Sequence, residues 1–429
     1  MRITCSITSR TKHSASFWSG IDLILSRTGD AMKKLRLAVV GCGAYESSRA
    51  RGYIATMVKL TDLYDLCAIC DHSEQALQVV GERFGVDARY TDFEAMLDGE
   101  KPDVVFILVP TDGQAVMALA AVERGCHIIT EIPYAHTLAI GDAIDRACRD
   151  RGVVWEVAEN VWLWPQEQLK QKIVRKGLLG KLTHARLWYT SGSYHGINGV
   201  RMILDKAATR ALGYAQSVEV LPYSNYGGEQ ETTRWWESAV VEFEDDIVCL
   251  YEMSPAGARS NFWDIEGVEG HLSGNELVLY GGSERTSYPI REMFEEIDGE
   301  QILSSVRVDT DPPVVWENPF KRQKVSHADD VAKAAILNSL YRAVTEGAEP
   351  QYSPANARRD LEIWIAIRES ANRGSVWVDL PLTEETDLEC RFEAEFVRQY
   401  GGHPITDHKR LLNAPFQRLS PLWTVAGWL

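Results

Sequence analysis

The sequence predicts an α/β protein with two domains, an N-terminal doubly wound domain on a parallel sheet and a C-terminal α/β domain with an open, mostly antiparallel sheet. Between Leu35 and Arg151, short apolar strands alternate with amphipathic helices, which is the pattern of βαβ units. After about residue 155 the segments become longer and alternate apolar with polar residues, as strands with one solvated face do. The 429 residues are enough for both domains.

The first domain is predicted to contain four strands and five helices. Its strands are rich in Val, Ile and Leu with little alternation, which indicates burial on both faces. We expect strands at 35–40, 66–70, 103–109 and 127–130, and helices at 45–60, 73–84, 93–97, 113–124 and 137–151.

The second domain is predicted to begin with a helix at 167–176 and to end with two long helices at 330–346 and 355–372. The sheet lies between them. Its strands are expected at 183–190, 217–222, 237–243, 247–251, 262–266, 270–273 and 276–280. Residues from 383 onward read as a helix followed by an irregular, Trp-containing tail.

These patterns divide the chain into four parts. Residues 1–33 are expected to be a disordered leader, with a targeting signal as the alternative. Residues 34–155 are expected to form the first domain, 156–382 the second domain, and 383–429 a C-terminal extension.

Composition excludes several classes of function. The formal net charge of -16, without a dense basic run, argues against nucleic-acid binding. No apolar run approaches the roughly 20 residues that cross a bilayer, so no membrane association is expected. The eight cysteines are scattered, which favours a reducing, cytoplasmic location. No His, Cys, Asp and Glu cluster has metal-ligand spacing, so no metal is predicted.

The first strand runs directly into a glycine-containing turn, which predicts a dinucleotide site. Its first glycine permits a tight turn, and its second lets a pyrophosphate approach the backbone at a helix N-terminus. The next strand ends in Asp71, whose carboxylate can accept hydrogen bonds from an adenosine ribose and favours NAD over NADP. Glu46, where a third glycine is usual, repels a pyrophosphate unless it turns outward. The turn consists of Gly41, Cys42, Gly43, Ala44, Tyr45 and Glu46.

Further motifs follow in a characteristic order. They include the strand from Asp103 to Pro110, the run Glu131-Ile132-Pro133 after the 127–130 strand, and the pair Glu159-Asn160. With the segments at 177–181 and 263–270, these motifs resemble the Gfo/Idh/MocA family, the glucose-fructose oxidoreductase and inositol dehydrogenase group. The resemblance covers residues 34–382.

The resemblance implies a Rossmann domain, hydride transfer at an interdomain cleft, and substrates that are sugars, cyclitols or their derivatives. It also implies a homodimer or homotetramer, because the open sheet often packs against another subunit. The further positions at which it implies cofactor contacts are Pro110, Gln114, Glu131, Pro133 and Asn160.

The sequence departs from the family at the catalytic positions. The family's catalytic Lys falls on Ile132, and its Asp-x-x-x-His pair falls on His195 and Gly199. His195 is therefore the candidate general acid and base, since an imidazole titrates near neutral pH. A position in the first helical turn would lower its pKa. The alternative is that His195 only bonds a loop.

Three more side chains are candidates around His195. Tyr194 or Tyr134 could donate a hydrogen bond to a substrate oxygen, and Arg201 could bind a carboxylate or a ring hydroxyl.

The sequence thus predicts an NAD-dependent oxidoreductase acting on a sugar, a cyclitol or a related polyhydroxylated or glycosylated compound. The alternatives are a bilin-type reductase, an NAD-assisted lyase, isomerase or glycosidase, and a non-catalytic dinucleotide-binding sensor. The missing Lys and His favour a sensor, whereas His195 and Arg201 on one segment favour an enzyme.

Overall fold

The computed structural model describes residues 33–43, 46, 48–188, 193–224, 230–253 and 262–416. Two predicted cofactor contacts, Ala44 and Tyr45, lie outside the described residues, as do nearly all of the predicted leader and the final tryptophans of the tail. The chain separates into two units, Met1–Lys33 and Lys34–Leu429, and the fold described below is that of the second unit.

The first domain is built on a six-stranded parallel sheet with the strand order β3-β2-β1-β4-β5-β6. This is the order of a Rossmann domain, as the resemblance implied. The strands are β1 (Leu35–Val40), β2 (Tyr64–Cys70), β3 (Arg89–Tyr90), β4 (Val104–Ile107), β5 (His127–Thr130) and β6 (Trp155–Val157). The helices are α1 (Arg49–Met57), α2 (Glu74–Phe84), α3 (Phe93–Glu100), α4 (Thr111–Glu123) and α5 (Leu138–Arg151).

Local sequence signals fix the ends of these helices. Ser48, Ser73 and Thr137 cap α1, α2 and α5, because each side chain accepts a hydrogen bond from a backbone N–H of the first turn. Helices α2 and α5 stop at Gly85 and Gly152, both in the left-handed conformation that favours glycine. The strands between them are almost completely buried, as their continuous apolar runs predict.

The second domain is built on a nine-stranded sheet with the order β14-β13-β12-β11-β7-β10-β9-β8-β18. Strand β10 pairs in parallel with β7, and the other described pairs are antiparallel, which confirms the open, mostly antiparallel sheet. The strands are β7 (Leu182–Trp188), β8 (Ala208–Ser224), β9 (Gln230–Phe243), β10 (Ile247–Glu252), β11 (Phe262–Gly267), β12 (Gly270–Ser273), β13 (Glu276–Gly281), β14 (Glu284–Pro289) and β18 (Val378–Asp379).

Four helices accompany this sheet: α6 (Pro165–Arg175), α7 (Ser193–Leu204), α8 (Ala328–Glu346) and α9 (Pro354–Asn372). Helix α9 packs along β8 and α7, whereas α8 returns to the first domain and packs against α1 and β6. The second domain therefore contacts the first through α8.

A small antiparallel sheet was missed by the sequence analysis. It consists of β15 (Arg291–Ile297), β16 (Glu300–Val308) and β17 (Val314–Glu317). Strand β15 is exposed along almost its whole length. It therefore carries none of the apolar alternation by which a half-buried strand is found.

The C-terminal extension contains α10 (Asp387–Tyr400) and α11 (His408–Leu411), which confirms the predicted helix. Helix α10 begins with a capping box between Thr386 and Glu389 and packs on α9, while α11 packs on α4. Within the described ranges, no helix has the length and apolar character needed to cross a membrane.

Candidate functional site

The turn after β1 forms a cradle that only glycine fits. Gly41 has φ +95°, and a Cβ there would lie 2.6 Å from the carbonyl oxygen of Leu108, which follows β4. Gly43 has φ +76°, and a Cβ there would collide with the Ser48 hydroxyl that caps α1. The loops after β1 and β4 meet at the point where the strand order reverses, where dinucleotides bind in such sheets.

Asp71 lies at the end of β2 and supports this cradle directly. Its Oδ2 accepts a hydrogen bond from the Cys42 backbone N–H at 2.7 Å, and its Oδ1 accepts one from the Ser73 N–H at 2.9 Å. A carboxylate oxygen can accept more than one hydrogen bond, so Asp71 retains capacity for ribose hydroxyls. Gly41, Gly43 and Asp71 thus come together as predicted, and the residues present fit a dinucleotide.

Glu46 turns away from the cradle. Its side chain is 66% exposed and makes ion pairs with Arg51, at 3.1 Å, and with Arg83. These guanidinium groups, Arg83 first, lower the pKa of the Glu46 carboxyl. The predicted repulsion of a pyrophosphate is therefore absent from this arrangement.

Pro110 and Gln114 lie at the N-terminal end of α4, at the same edge of the sheet. Pro110 is the residue before the helix, and Gln114 is 1% exposed. Within the described part of the chain, no group hydrogen-bonds to the buried Oε1 of Gln114. This carbonyl oxygen can accept a hydrogen bond from a bound ligand.

The C-terminal extension covers this end of α4. The Tyr400 hydroxyl donates to Asp112 Oδ2 at 2.6 Å, and His136 Nε2 lies 2.5 Å from Asp112 Oδ1. The Phe416 ring packs on Gly113, where a Cβ would come within 2.6 Å of it. The described part of the extension therefore holds the wall of the dinucleotide site in place.

A polar cluster around Arg49 lies at the carboxyl ends of β5 and β6. Arg49 Nε donates to Glu131 at 2.7 Å, and Nη1 donates to Asp329 at the start of α8 at 3.3 Å. Its Nη2 donates to the side-chain oxygen of Asn160. One guanidinium thus joins two residues of the resemblance motifs, Glu131 and Asn160, to the second domain.

The charges of this cluster stabilise one another. Asp329 is paired with Arg49 and also with Lys333, whose Nζ lies 2.7 Å away. Burial opposes the charged form of Asp329, but the two cations outweigh it and hold the pKa of this carboxyl well below its usual range. Pro133 follows in the same loop, after a cis peptide bond with Ile132.

His195 pairs with a buried carboxylate beside this cluster. Its Nδ1 lies 2.8 Å from Oε2 of Glu159, which is fully buried and accepts the Val161 N–H with its other oxygen. Burial alone would lower the pKa of His195, but the Glu159 carboxylate raises it above its ordinary value. The net direction is therefore opposite to the lowering expected from a position in the first helical turn. The His195 side chain is 27% exposed, so it remains within reach of a ligand.

The structure places Tyr194 and Arg201 away from His195. The Tyr194 hydroxyl donates to the backbone oxygen of Ala357, and Arg201 makes a two-pronged ion pair with Asp360. Both side chains are 5% exposed. Their hydrogen-bonding groups are occupied by partners inside the fold. The prediction that Tyr194 and Arg201 contact a substrate is therefore wrong.

Two further positions, Gly199 and Ile132, stand where the family's catalytic His and Lys fall. A Cβ at Gly199 would lie 3.4 Å from the buried Trp263 ring, so the indole fills the space beside this residue. Ile132 packs against the apolar core. Tyr134, also considered as a substrate donor, turns toward Gly141 on α5 and lines a different cavity.

Sequence reasoning missed Arg49, Glu159 as the partner of His195, and Asp329. The pair Glu159-Asn160 was noted as a motif, but nothing local shows that the carboxylate faces α7. Arg49 and Asp329 are 280 residues apart, and no signal in the sequence joins them.

Comparisons with known proteins agree with this architecture. Residues 35–159 match the model of the Gfo/Idh/MocA family, described as an oxidoreductase family with an NAD-binding Rossmann fold. The chain is 28% identical over 374 residues to D-apiose dehydrogenase of Paraburkholderia graminis, covering 82% of this chain and 91% of that protein. It is 26% identical over 245 residues to D-glucoside 3-dehydrogenase of Escherichia coli, covering 52% of this chain and 68% of that protein.

A solved structure shows the same fold. Levoglucosan dehydrogenase in complex with NADH and levoglucosan superposes with a TM-score of 0.63 at 20% identity, over 82% of this chain and all of that one. Some other relatives are matched over less than half of their length.

Proposed function

We propose that the chain, whose first domain matches the Gfo/Idh/MocA family of oxidoreductases, transfers hydride between NAD and a hydroxyl-bearing carbon of a sugar, a cyclitol or a related polyhydroxylated or glycosylated compound. The relatives named as apiose, glucoside and levoglucosan dehydrogenases support this substrate class. NADP is disfavoured because Asp71 would face its 2′-phosphate.

One observation carries the proposal: the His195–Glu159 pair stands beside the Arg49 cluster. Glu131, Glu159 and Asn160 all follow the carboxyl ends of β5 and β6, the edge at which Gly41 follows β1. Acid-base groups and the dinucleotide cradle therefore share one edge of the sheet.

The bound nicotinamide supplies the hydride acceptor or donor. When a hydroxyl-bearing carbon loses hydride, its oxygen must also lose a proton. The Glu159 carboxylate places the ring proton of His195 on Nδ1, which makes Nε2 the nitrogen that accepts the substrate proton. Glu159 then stabilises the imidazolium that forms.

Arg49 supplies fixed positive charge without proton transfer, because a guanidinium stays protonated at any working pH. Its side chain is 35% exposed, and its ion pairs with Glu131 and Asp329 fix its position. We propose that this cation orders Glu131, Asn160 and Asp329 around the site, a task for which Ile132 offers no charged group.

The test is a panel of aldoses, glycosides and cyclitols incubated with NAD or NADP, in which reduced nucleotide is followed by absorbance. The proposal predicts turnover with NAD for at least one member. Tight NAD binding without turnover across the panel would instead support a sensor.

Assembly and location are also proposals. The outer face of the nine-stranded sheet exposes Tyr214 and Leu250, and we propose a homodimer or homotetramer through this face, to be tested by light scattering. All seven cysteines in the described part of the chain are free thiols, which supports a cytoplasmic location.

A further inference from the structure

We propose that the cavity between α5 and the N-terminus of α9 is a second binding site, which takes the phosphate group of a small organic phosphate. The cavity measures about 440 Å³. None of the residues that line it belongs to the cluster around His195. Nothing in the proposed hydride transfer uses this cavity.

Three guanidinium groups line the cavity. Arg146 and Arg149 lie one turn apart on α5, and Arg358 faces them from α9. Arg149 pairs with Asp145 at 2.9 Å. Arg146 has no ion-pair partner among the residues that the structure describes, so one cation of the cavity is uncompensated.

Arg358 is already partly neutralised. It pairs with Asp142 at 2.8 Å and with Glu362 at 3.2 Å. Because it pairs with Asp142 of α5, which lines the cavity, and with Glu362 of its own helix, it reduces the repulsion that an incoming anion would meet.

The positive end of α9 adds to the attraction. This helix of 19 residues begins at Pro354, and Pro354 and Ala355 form part of the cavity wall. The side chain of Ser353 makes no capping hydrogen bond, and the first turn contains no acidic residue. The helix dipole is therefore not offset locally, which favours an anion at this end.

Tyr134 points independently to a ligand. The residue is 1% exposed, its ring packs edge-on against Trp155, and its hydroxyl end lies against Gly141 at the cavity wall. No described group hydrogen-bonds to this hydroxyl. Burial raises the pKa of Tyr134 far above its usual value, so the group is a neutral donor at every working pH. An oxyanion bound in the cavity could accept a hydrogen bond from this hydroxyl.

The donors fit phosphate better than carboxylate. They belong to α5, to α9 and to the loop after β5, so they surround the cavity on three sides, and a tetrahedral oxyanion can accept hydrogen bonds from more directions than a planar carboxylate. The cavity is larger than a phosphate ion, and its wall includes the Trp155 ring. The remaining volume suits a small organic group attached to the phosphate.

The test is calorimetric titration of the full chain with glycerol 3-phosphate and inorganic phosphate, with glycerol and acetate as controls. Saturating NAD is present so that phosphate cannot bind at the glycine turn around Gly41 and contribute to the measured heat. Three variants are compared: Arg146→Ala, Tyr134→Phe and, as the matched control, Arg151→Ala. Arg151 is an exposed arginine of α5 outside the cavity.

We expect glycerol 3-phosphate to bind, with affinity reduced roughly 10-fold or more by Arg146→Ala and by Tyr134→Phe, because each removes one donor to a charged group. Arg151→Ala should bind as the unmodified chain does. Absence of phosphate binding, equal binding of acetate, or binding unaffected by both cavity variants would overturn the proposal. If NAD does not bind, the variants still show whether phosphate binds in this cavity. The proposal of a phosphate site and the proposal of NAD-dependent hydride transfer can therefore fail independently.

Discussion

Replacing Glu159 by Gln isolates what the carboxylate does for His195. The two side chains are 2.8 Å apart, and the carboxylate raises the pKa of the imidazole. A hydrogen bond between charged groups contributes about 1.5–3 kcal/mol. Since 1.36 kcal/mol is one factor of ten in rate, kcat/KM should fall roughly 10- to 150-fold.

The pH dependence gives the sharper readout. In the oxidative direction only neutral His195 accepts a proton, so activity is lost as pH falls through its pKa. In Glu159→Gln the raising charge is gone and burial remains, so this pKa falls. The ascending limb of kcat/KM should therefore move to lower pH.

Glu156→Gln is the matched control. Glu156 lies on β6, is fully buried, and accepts hydrogen bonds from Ser339 and from the backbone of Tyr352. Burial raises its pKa to about 8, so at neutral pH the carboxyl is mostly uncharged and an amide replaces it closely. Its profile should match that of the unmodified protein. If the ascending limb of the kcat/KM profile of Glu159→Gln stays at the same pH, or moves to higher pH, the proposed role of Glu159 is refuted.

Three further predictions concern the scaffold of the site. Asp71→Asn should weaken NAD binding roughly 10- to 100-fold in calorimetry, because the substitution weakens both the hydrogen bond to the glycine turn and the contact with the ribose. Unchanged NAD affinity would exclude a role of the Asp71 carboxylate in NAD binding. Arg49→Met should lower the free energy of unfolding by roughly 1–3 kcal/mol at neutral pH in urea titrations. Because the pKa of Asp329 is depressed in the folded state, the stability that this charge contributes is present above its ordinary pKa of about 3.9 and lost as pH falls below it. The difference in free energy of unfolding between Arg49→Met and the unmodified protein should therefore become smaller in acid. A difference that does not change with pH would argue against a stabilising ion pair. Tyr400→Phe should cost about 1–2 kcal/mol in the same titration, because Asp112 loses a buried donor, and no loss would show that the extension does not hold α4.

The dinucleotide half of the site is predictable because its signals are local. Gly41 and Gly43 are required within one turn, and Asp71 ends the neighbouring strand, so strand order alone brings them together. Glu46 was predicted to be acceptable only if it turned outward, and the structure shows that it does.

The catalytic half depends on contacts that sequence spacing does not encode. Neighbouring helical residues point about 100° apart, so His195 faces Glu159 while Tyr194 faces the interior of the domain. Burial lowers the pKa of His195, and the Glu159 carboxylate, which is distant in the sequence, raises it above its ordinary value. Arg49 and Asp329 meet only because α8 returns to the first domain.

The central claim is that His195 is the proton acceptor of an NAD-dependent hydride transfer. The most direct test is His195→Asn, measured for NAD affinity by calorimetry and for reduced nucleotide formed in a single turnover with a sugar that the unmodified protein oxidises. We predict NAD affinity within about 2-fold and a rate lower by roughly 10²- to 10⁴-fold, the contribution of a general base. A variant that binds NAD and oxidises the sugar at the original rate would contradict the claim.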